Sequence, residues 1–335
     1  MKQNKPVSVI IVNFNRKEYL RRCLDSVSRQ SYKNIEIIVI DNSSSDGSVE
    51  ILKSDYPFVK LIVNNENRLF SSAQNQGIKE ANGDYILSLN NDTVLEKCYI
   101  EELVETIEKN SEIGMATGRI LSRDGKSIDS CGQILSGDRT AKERGFGEIN
   151  NGQFNEPGYV FGVGAVAALY KKEMLEMLKI DGEYFDSAYG MFLEDLDLNW
   201  RANRFGFKAF YNPKAVAYHI RGATAKTEPP NIECLRRYYF PHLSEDLQFH
   251  LLKNRYITMI KNDTLKDFIS CLGNVLFYEF KLWSYILLFR PRLILKIPRI
   301  FGYLKIALEK RKAIKIKLKN LSKNLDNNTR PICWS

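Results

Sequence analysis

Polar side chains that can bind a metal ion and a nucleotide follow an apolar segment in the first third of the chain. Asn90-Asn91-Asp92 comes directly after the apolar residues 85–89. A carboxylate and an amide oxygen at this spacing can hold a hard divalent cation and leave coordination positions for a diphosphate. Turns after strands are also rich in Asn and Asp for backbone reasons, so the motif by itself is a weak indication of a metal site.

A second candidate group is the acidic pair Glu194-Asp195. It begins a stretch with helical spacing that extends to about Phe205 and ends at Gly206. Acids at the start of a helix are commonly explained by capping and by the helix dipole. The functional interpretation is a general base, a carboxylate that removes the proton from an attacking hydroxyl.

Two further motifs depend on their surroundings. His219 is one of three histidines and closes a strand-like segment. A lone His is usually structural, and it becomes a ligand candidate only if Asp92 holds a metal nearby, because neutral imidazole binds cations such as manganese. Gly162-x-Gly164-x-x-Ala167 imitates a dinucleotide fingerprint, but it lies in mid-chain without the acid that binds ribose. We interpret it as small residues that permit close packing.

The elements around these residues alternate between apolar strands and helices. Strands are predicted at residues 7–12, 35–40, 60–63, 85–89, 113–120, 159–170 and 215–220, and helices at 19–30, 71–81 and 99–109. Continuous apolar strands alternating with helices predict an α/β fold whose mostly parallel sheet is covered on both faces. Ligands bind beyond the carboxyl ends of such strands, where the polar clusters fall. Residues 136–158 are polar and glycine-rich, which predicts a loop that is either functional or disordered.

The last third of the chain differs in composition. The formal net charge of the whole chain is +9, yet residues 281–319 hold twelve Lys or Arg and one acid, which leaves about −2 for the rest. Residues 268–289 are strongly apolar, but the central charges of Glu279 and Lys281 argue against a spanning helix. We interpret this part as basic, amphipathic helices at a membrane surface. The alternative is a helical subdomain that packs on the core.

Composition also bears on partners and location. Because the basic residues are concentrated in the last third and not on the folded domain, we expect no nucleic-acid partner. The six cysteines stand far apart without zinc-site spacing, which is typical of a reducing compartment. Residues 1–6 are polar and lead straight into a strand, so no signal peptide is expected. The predicted location is cytoplasmic, on the inner face of the cell membrane.

The order of these motifs resembles that of the inverting family 2 glycosyltransferases, most closely the bacterial rhamnosyltransferase-type branch of surface-polysaccharide synthesis. The matching segments are residues 7–15, 36–47, 67–77, 89–92, Gly164, 185–186, 194–201 and 219–224. The resemblance covers about residues 5–225, with a weaker similarity at 253–255. It implies a GT-A domain at 1–230, with a nucleotide-binding half (about 1–120) and an acceptor half (about 121–230). A helical extension would follow at 231–335.

The resemblance implies an activity and a role for individual residues. A sugar would pass from a nucleotide diphosphate donor, dTDP-rhamnose or a UDP-hexose, to a hydroxyl of a saccharide acceptor that is lipid-linked. The implied donor-binding residues are Asn13, Asn15, Asp41, Asn75, Asn90 and Arg201, the last also a support for the acidic pair. Asp92 is the implied ligand of a divalent cation, Mg²⁺ or Mn²⁺, with His219 as a further contact. Asp195 is the implied catalytic base and Glu194 its neighbour.

Two positions depart from the family pattern. Relatives commonly have Asn-x-Gly-Phe where this chain has Asn67-Arg68-Leu69-Phe70, which changes the loop beside the donor. Asn90 replaces the first Asp of the DxD-like motif and lowers the negative charge of the metal site. Donor identity and the strictness of metal dependence therefore stay open.

Two other interpretations stay open as well. A nucleotidyltransferase would also place acids after strands, but it usually has a glycine-rich loop where this chain has residues 13–17 without glycine. A catalytically degenerate glycosyltransferase could serve as a membrane-bound assembly partner. The retained Asp41, Asp92, Asp195 and His219 argue against the second interpretation.

Overall fold

The computed structural model describes residues 4–221 and 243–324. Parts of three predictions lie outside the described residues. They are the domain boundary at residue 230, the end of the 219–224 motif, and the free state of Cys234 and Cys333.

The strands are short and are distributed over the first 219 residues. In chain order they are β1 (Val7–Asn13), β2 (Ile35–Asp41), β3 (Lys60–Val63), β4 (Tyr85–Asn90), β5 (Thr93–Leu95), β6 (Ile113–Ser122), β7 (Ile128–Ser130), β8 (Gln133–Leu135), β9 (Ala141–Glu143), β10 (Gly158–Val160), β11 (Ala167–Lys171) and β12 (Lys208–His219). All except β8 and β9 join one sheet, whose main path runs β10-β12-β6-β11-β4-β1-β2-β3. Strand β5 pairs with β12 and β7 with β6, whereas β8 and β9 form a separate hairpin.

Helices cover this sheet and continue beyond it. They are α1 (Lys17–Ser28), α2 (Ser48–Asp55), α3 (Leu69–Glu80), α4 (Tyr99–Glu108), α5 (Lys172–Leu178), α6 (Glu194–Arg204), α7 (Glu245–Asn262), α8 (Leu265–Ser270), α9 (Leu272–Phe289) and α10 (Ile297–Asn324), with a 3₁₀ turn at Pro291–Lys296. Within residues 4–221 and 243–324, no helix combines the length and the apolar character needed to cross a bilayer.

The predicted α/β architecture is confirmed. Strands β4, β1, β2 and β3 pair in parallel, and antiparallel β11 joins them to the parallel pair β6 and β12. Strands β1 and β4 are buried along almost their whole length, because helices lie on both faces of the sheet. The parallel arrangement brings the ends of β1, β2 and β4 to one edge.

Most predicted boundaries are correct within two residues, but two segments differ. The apolar stretch 159–170 is not one strand, since β10 and β11 are separated by residues 161–166. Strand β12 begins at Lys208, seven residues before its predicted start. Sequence reasoning missed the first residues of β12, because Pro213 argues against a strand interior. The structure accommodates Pro213 at a register shift between Asn212 and Val216.

The C-terminal helices pack on the α/β domain through a buried ionic network. Lys261 of α7 lies 2.6 Å from Asp186 and 2.9 Å from Asp197 of α6. Lys310 of α10 also contacts Asp186, at 2.7 Å. Burial opposes the charged forms of both aspartates, but the neighbouring cations outweigh it and lower their pKa values. The helices are therefore anchored to the segment that leads into α6.

Candidate active site

The ends of β1 and β2 form a polar cluster. Asn13 donates from Nδ2 to Asp41 Oδ2 at 2.9 Å, as expected for residues that are register partners at the ends of parallel strands. Ser44 closes the cluster by donating its N–H to Asp41 Oδ1 at 2.8 Å and accepting from the N–H of Asn15 at 2.9 Å. Asn15 adopts a left-handed φ of 49°, which turns the chain across the strand ends. The structure thus brings Asn13, Asn15 and Asp41 together.

The Asn-Asn-Asp motif at the end of β4 joins this cluster. Asn91 Nδ2 donates to Asn13 Oδ1 at 2.8 Å, a contact that the sequence reasoning did not include. The N–H of Asn90 donates to the carbonyl of Val166 at 2.8 Å, which fixes the motif against the segment before β11. Asn90 is half-buried, and Asp92 is 8% exposed. The cluster and the motif therefore share one edge of the sheet.

Asp92 and His219 come together although 127 positions separate them in the sequence. His219 Nε2 lies 3.2 Å from Asp92 Oδ1, and its Nδ1 lies 2.9 Å from Asp129 Oδ2. Burial alone would lower the pKa of His219, but the hydrogen bonds to Asp129 and Asp92 outweigh it and raise the pKa to about 9. A histidine whose second ring nitrogen is held by a carboxylate has the arrangement common among metal ligands. Sequence reasoning missed Asp129, which had no motif to mark it.

The acidic pair begins α6, as predicted. Asp195 remains partly accessible, and its carboxylate accepts hydrogen bonds from the N–H of Leu196 at 2.7 Å and from Gln133 Nε2 at 2.8 Å. Glu194 is 8% exposed, and its Oε2 has no hydrogen-bond partner among the described residues. Burial and the charge of Asp195 raise the pKa of Glu194 well above its usual value. The hydrogen bonds that Asp195 accepts favour its charged form, so Asp195 is the member of the pair better placed to ionise.

The β8–β9 hairpin supplies two residues to the same place. Gln133 Nε2 donates both to Asp195 and to Glu143 Oε1, the latter at 3.0 Å. Ser130 donates a short hydrogen bond to the other oxygen of Glu143. Burial, followed by the charge of Asp195, raises the pKa of Glu143 to about 7. Sequence reasoning placed Glu143 in the polar loop 136–158 and gave Gln133 no element, so it missed both residues.

Adjacent contacts make these groups one continuous site. Ala165 donates its N–H toward Asp195 Oδ2 at 3.4 Å, while the next residue, Val166, holds Asn90. Likewise Asp129 holds His219 and the next residue, Ser130, holds Glu143. The residues around Asp92 and those around Asp195 are therefore linked through two pairs of sequence neighbours, 165–166 and 129–130.

Two predicted donor-binding residues lie away from this cleft. Asn75 is buried, and its amide bonds the backbone of Tyr184 and Phe185, with Nδ2 2.6 Å from the Phe185 carbonyl. Arg201 is 1% exposed and bonds Asp197 and the carbonyls of Leu178 and Tyr184. We therefore correct both assignments. These side chains hold the segment before α6 in place, because all of their contacts are internal.

The loop before the acidic pair is stabilised by contacts with helix α7. Phe192 and Leu193 both adopt left-handed φ values, 69° and 64°, which are unfavourable for side chains of this size. Asn254 of α7 donates from Nδ2 to the carbonyls of Met191 at 2.9 Å and Phe192 at 2.7 Å. Asn254 lies in the segment 253–255 that sequence reasoning singled out. Its contacts show that α7 supports the start of α6.

Two sequence features have clear structural counterparts. Leu69 adopts a left-handed φ of 59°, a conformation that glycine favours, at the position where the family pattern predicts glycine. A Cβ at Gly162 would lie 2.3 Å from the Asn199 amide. The interpretation of Gly162 as a residue that permits close packing is therefore confirmed.

We expect Glu143→Gln to leave the acid limb of the pH–rate profile in place. Burial is the main cause that raises the pKa of Asp195, and a base with a raised pKa loses activity as the pH falls through that value. The charge of Asp195 helps to raise the pKa of Glu143 to about 7, so Glu143 is still protonated while Asp195 ionises and adds no charge beside it. The measurement is kcat/KM between pH 5 and 9. An acid limb that moves to lower pH would show that Glu143 is charged when the base ionises.

The chain is similar to known glycosyltransferases in sequence and in fold. The family model described as glycosyl transferase family 2 matches residues 8–178. The poly-beta-1,6-N-acetyl-D-glucosamine synthase of Staphylococcus epidermidis is 30% identical over 223 residues, which cover 65% of this chain and 50% of the synthase. The chain thus spans about half the length of that curated relative.

Solved structures share the fold. S. aureus TarS has a TM-score of 0.59 at 15% identity, covering 95% of this chain and 53% of TarS. The mannosyltransferase PcManGT from Pyrobaculum calidifontis, solved with GDP-Man and Mn²⁺, has a TM-score of 0.54 at 14% identity, covering 97% of this chain and 89% of the other. At these identities the likeness concerns the fold alone.

Proposed function

The chain belongs to glycosyl transferase family 2, and from this premise we propose that it transfers a sugar from a nucleotide diphosphate donor to a hydroxyl of a saccharide acceptor, with inversion. The observation that carries the proposal is the continuity of the site. A polar cluster at the strand ends and an ionisable carboxylate lie on either side of residues 165–166. Donor and acceptor can therefore meet between them.

The donor's nucleoside would bind at the cluster of Asn13, Asn15 and Asp41. Amide and carboxylate groups of this kind recognise the hydrogen-bonding edges of a base and the hydroxyls of a ribose. Asn91 and Ser44 belong to the same cluster because they bond Asn13 and Asp41 directly. The diphosphate would then extend toward Asp92, at the end of the neighbouring strand.

The residues present fit a divalent cation. Asp92 and His219 would hold it, and Asp129 orients the His219 ring for this purpose. Among the described residues no group of three His, Cys, Asp or Glu side chains could hold a metal by itself. Two protein ligands suit Mg²⁺ or Mn²⁺, which complete their shells with phosphate oxygens and water. Such an ion offsets the charge that develops on the departing diphosphate.

Asp195 is the proposed base. Its carboxylate takes the proton from the acceptor hydroxyl as that oxygen attacks the anomeric carbon, and the nucleoside diphosphate leaves from the opposite side. Gln133 and the Leu196 N–H orient the carboxylate. The raised pKa of Glu194 favours its neutral form, so Glu194 competes less for the proton. A single displacement assisted by one base inverts the anomeric configuration.

The donor is proposed to be dTDP-rhamnose or a UDP-hexose. The motif order resembles the rhamnosyltransferase-type branch, whereas the curated relative is named as the synthase of an N-acetylglucosamine polymer. A thermal-shift panel of UDP, dTDP, GDP and CMP, with and without Mn²⁺ or Mg²⁺, separates these classes. A ligand that binds only the folded state raises its stability by mass action. We expect one nucleoside diphosphate to raise the Tm, and to raise it further with metal.

An Asp92→Asn variant tests the metal part of the panel. It should keep the shift given by nucleotide alone and lose the increment that metal adds, because it removes the anionic ligand. Asp124→Asn is the matched control, the same change in an exposed turn. No shift with any nucleotide would point instead to a degenerate, non-catalytic protein. A metal increment that survives in Asp92→Asn would overturn the assignment of that ligand.

The C-terminal helices are proposed to attach the enzyme to the cytoplasmic face of the membrane, where a lipid-linked acceptor would be found. Helix α9 exposes a set of large apolar side chains that we call the α9 apolar face: Leu276, Phe277, Phe280, Leu287, Leu288 and Phe289. These are between 58% and 74% exposed. The +11 excess over residues 281–319 adds attraction to anionic lipids.

We expect full-length protein to bind vesicles of anionic lipid and to release them as salt rises. The triple variant Phe277→Ser, Phe280→Ser, Leu288→Ser should lose most of this binding. Point changes are preferable to truncation, because truncation would also remove the buried contact between Lys310 and Asp186. Phe58→Ser with Ile149→Ser, on the α/β domain, is the control. Equal sedimentation of both variants with vesicles would contradict the proposal.

A further inference from the structure

A cavity of about 510 Å³ lies among the C-terminal helices, outside the site described above. This volume is within the range of small-molecule sites. Its wall is formed by residues of α7 to α10: Tyr256, Met259, Ile260, Asp263, Thr264, Leu265, Phe268, Val275, Leu276, Glu279, Trp283 and Arg311. Most of these side chains are apolar or aromatic.

The polar groups in the wall are engaged with partners. Glu279 accepts from Arg255 Nε at 2.7 Å and from the Tyr256 hydroxyl at 2.6 Å. That hydroxyl in turn accepts from Trp283 Nε1 at 2.9 Å. Asp263 pairs with Arg139 at 2.7 Å. Because these groups are engaged, the wall offers mainly carbon to an occupant, which therefore has to be apolar.

The mouth of the cavity opens on apolar surface. Leu265 and Leu276 line the cavity and are also 71% and 59% exposed. Ile269 and Leu272, between them in the chain, are exposed as well. The cavity is thus continuous with the α9 apolar face, next to the basic residues of 281–319. An apolar chain that enters from this side would have its anionic end among cations, one of which, Arg311, lies in the wall.

The β8–β9 hairpin connects this cavity to the proposed base. At its open end Gln133 and Glu143 contact each other, and Gln133 bonds Asp195. At its tip Arg139 bonds Asp263 of the cavity wall, and Arg255 donates to the Asp138 carbonyl at 2.9 Å. Strand β8 has only three residues, of which Gln133 is the first, so Gln133 lies roughly 10 Å from the turn. The cavity and the acceptor side of the active site therefore lie at the two ends of one short hairpin.

We propose that this cavity binds the hydrocarbon chain of a single-chain anionic lipid, whose head group extends along the β8–β9 hairpin toward Asp195. The inference rests on the proposed function in one respect, that this lipid carries the saccharide acceptor. Binding of the chain itself does not depend on transfer. The cavity would select acceptors by their lipid, while the donor cluster selects the sugar.

Binding is tested with n-dodecyl phosphate and farnesyl phosphate below their micelle concentrations, followed by tryptophan fluorescence because Trp283 lines the cavity. We expect one molecule of either lipid to bind. Leu276→Asp, at the exposed mouth, should weaken binding at least tenfold, and Val275→Phe should do the same by filling the cavity. Leu288→Asp is the matched control, since it lies on the same helix at 74% exposure but outside the lining. The lipid that binds more tightly shows whether the cavity prefers an acyl or an isoprenoid chain.

Two results would overturn the proposal. One is inorganic phosphate binding as tightly as the lipids, and the other is equal lipid binding by Leu276→Asp and Leu288→Asp. Steady-state kinetics with two kinds of acceptor distinguish this proposal from the proposed function. Leu276→Asp should raise the KM for a lipid-linked acceptor at least tenfold and leave kcat and transfer to a lipid-free saccharide unchanged. Absence of transfer to either acceptor by the wild type would contradict the function, while the binding result would still decide the cavity.

Discussion

Asp195→Asn is expected to lower kcat by about 10²–10⁴-fold, the usual contribution of a general base. The amide keeps the size of the side chain but cannot accept the proton from the acceptor hydroxyl. Asp195 does not contact the cluster of Asn13, Asn15 and Asp41, so nucleotide binding should stay within about twofold of the wild type, a change well under 1 kcal/mol. The measurements are initial rates at saturating donor and nucleotide affinity by calorimetry.

Glu194→Gln is the matched control for this experiment. Burial and the charge of Asp195 raise the pKa of Glu194 well above its usual value, which favours the neutral form that the amide copies. We expect the loss of kcat to be at most about tenfold, or 1.4 kcal/mol of barrier. Full activity of Asp195→Asn would remove Asp195 as the base. A larger loss in Glu194→Gln than in Asp195→Asn would exchange the two roles.

Asp197→Asn is expected to cost about 3–5 kcal/mol of unfolding free energy, the range for breaking a buried ion pair from one side. Asp197 is fully buried and contacts Arg201 at 2.9 Å, Lys261 at 2.9 Å and Asn262 at 2.8 Å. Without the charge of Asp197, Arg201 loses its ion pair and Lys261 keeps only the pair with Asp186, which it shares with Lys310. Urea unfolding at 25 °C, with an unchanged m value, measures the loss.

The control makes the same change in an exposed pair. Asp55 lies 2.6 Å from Arg21, with about 39% of each side chain exposed. Exposed pairs contribute about 0–1 kcal/mol, so Asp55→Asn should barely change stability. The network also predicts a pH effect. The pKa values of Asp186 and Asp197 are lowered in the folded state, so their contribution is present at neutral pH and is lost as the pH falls below the ordinary value of 3.8. Equal losses in Asp197→Asn and Asp55→Asn would contradict the network's role.

The parallel half of the sheet was predictable because its signals are local. Strands β1, β2 and β4 are continuous apolar segments, and each ends in Asn or Asp. Once a parallel sheet is inferred, those ends must meet at one edge, so the cluster of Asn13 and Asp41 follows from topology. The pairing of Asp92 with His219 was predicted only conditionally, since it requires β12 to run beside β6 and to pair with β5.

The acceptor side was less predictable because its contacts are distant and its residues are unremarkable in sequence. Glu143 and Gln133 lie in a short hairpin that has no apolar alternation, and they meet Asp195 only after folding. Arg201 shows the opposite error. It follows the acidic pair by six positions, but helical geometry turns it away from Asp195 and into the buried network with Asp197. Sequence spacing alone could not decide which of these residues faces the cleft.

The most direct test of the central claim is release of nucleoside diphosphate from dTDP-rhamnose and a set of UDP-hexoses, with and without a lipid-linked saccharide acceptor. The account predicts that one donor class is consumed, that release increases with the acceptor and with Mn²⁺ or Mg²⁺, and that Asp195→Asn lowers it about 10²–10⁴-fold. Binding of a nucleotide without acceptor-dependent release from any donor would contradict the account and leave a nucleotide-binding protein that transfers no sugar.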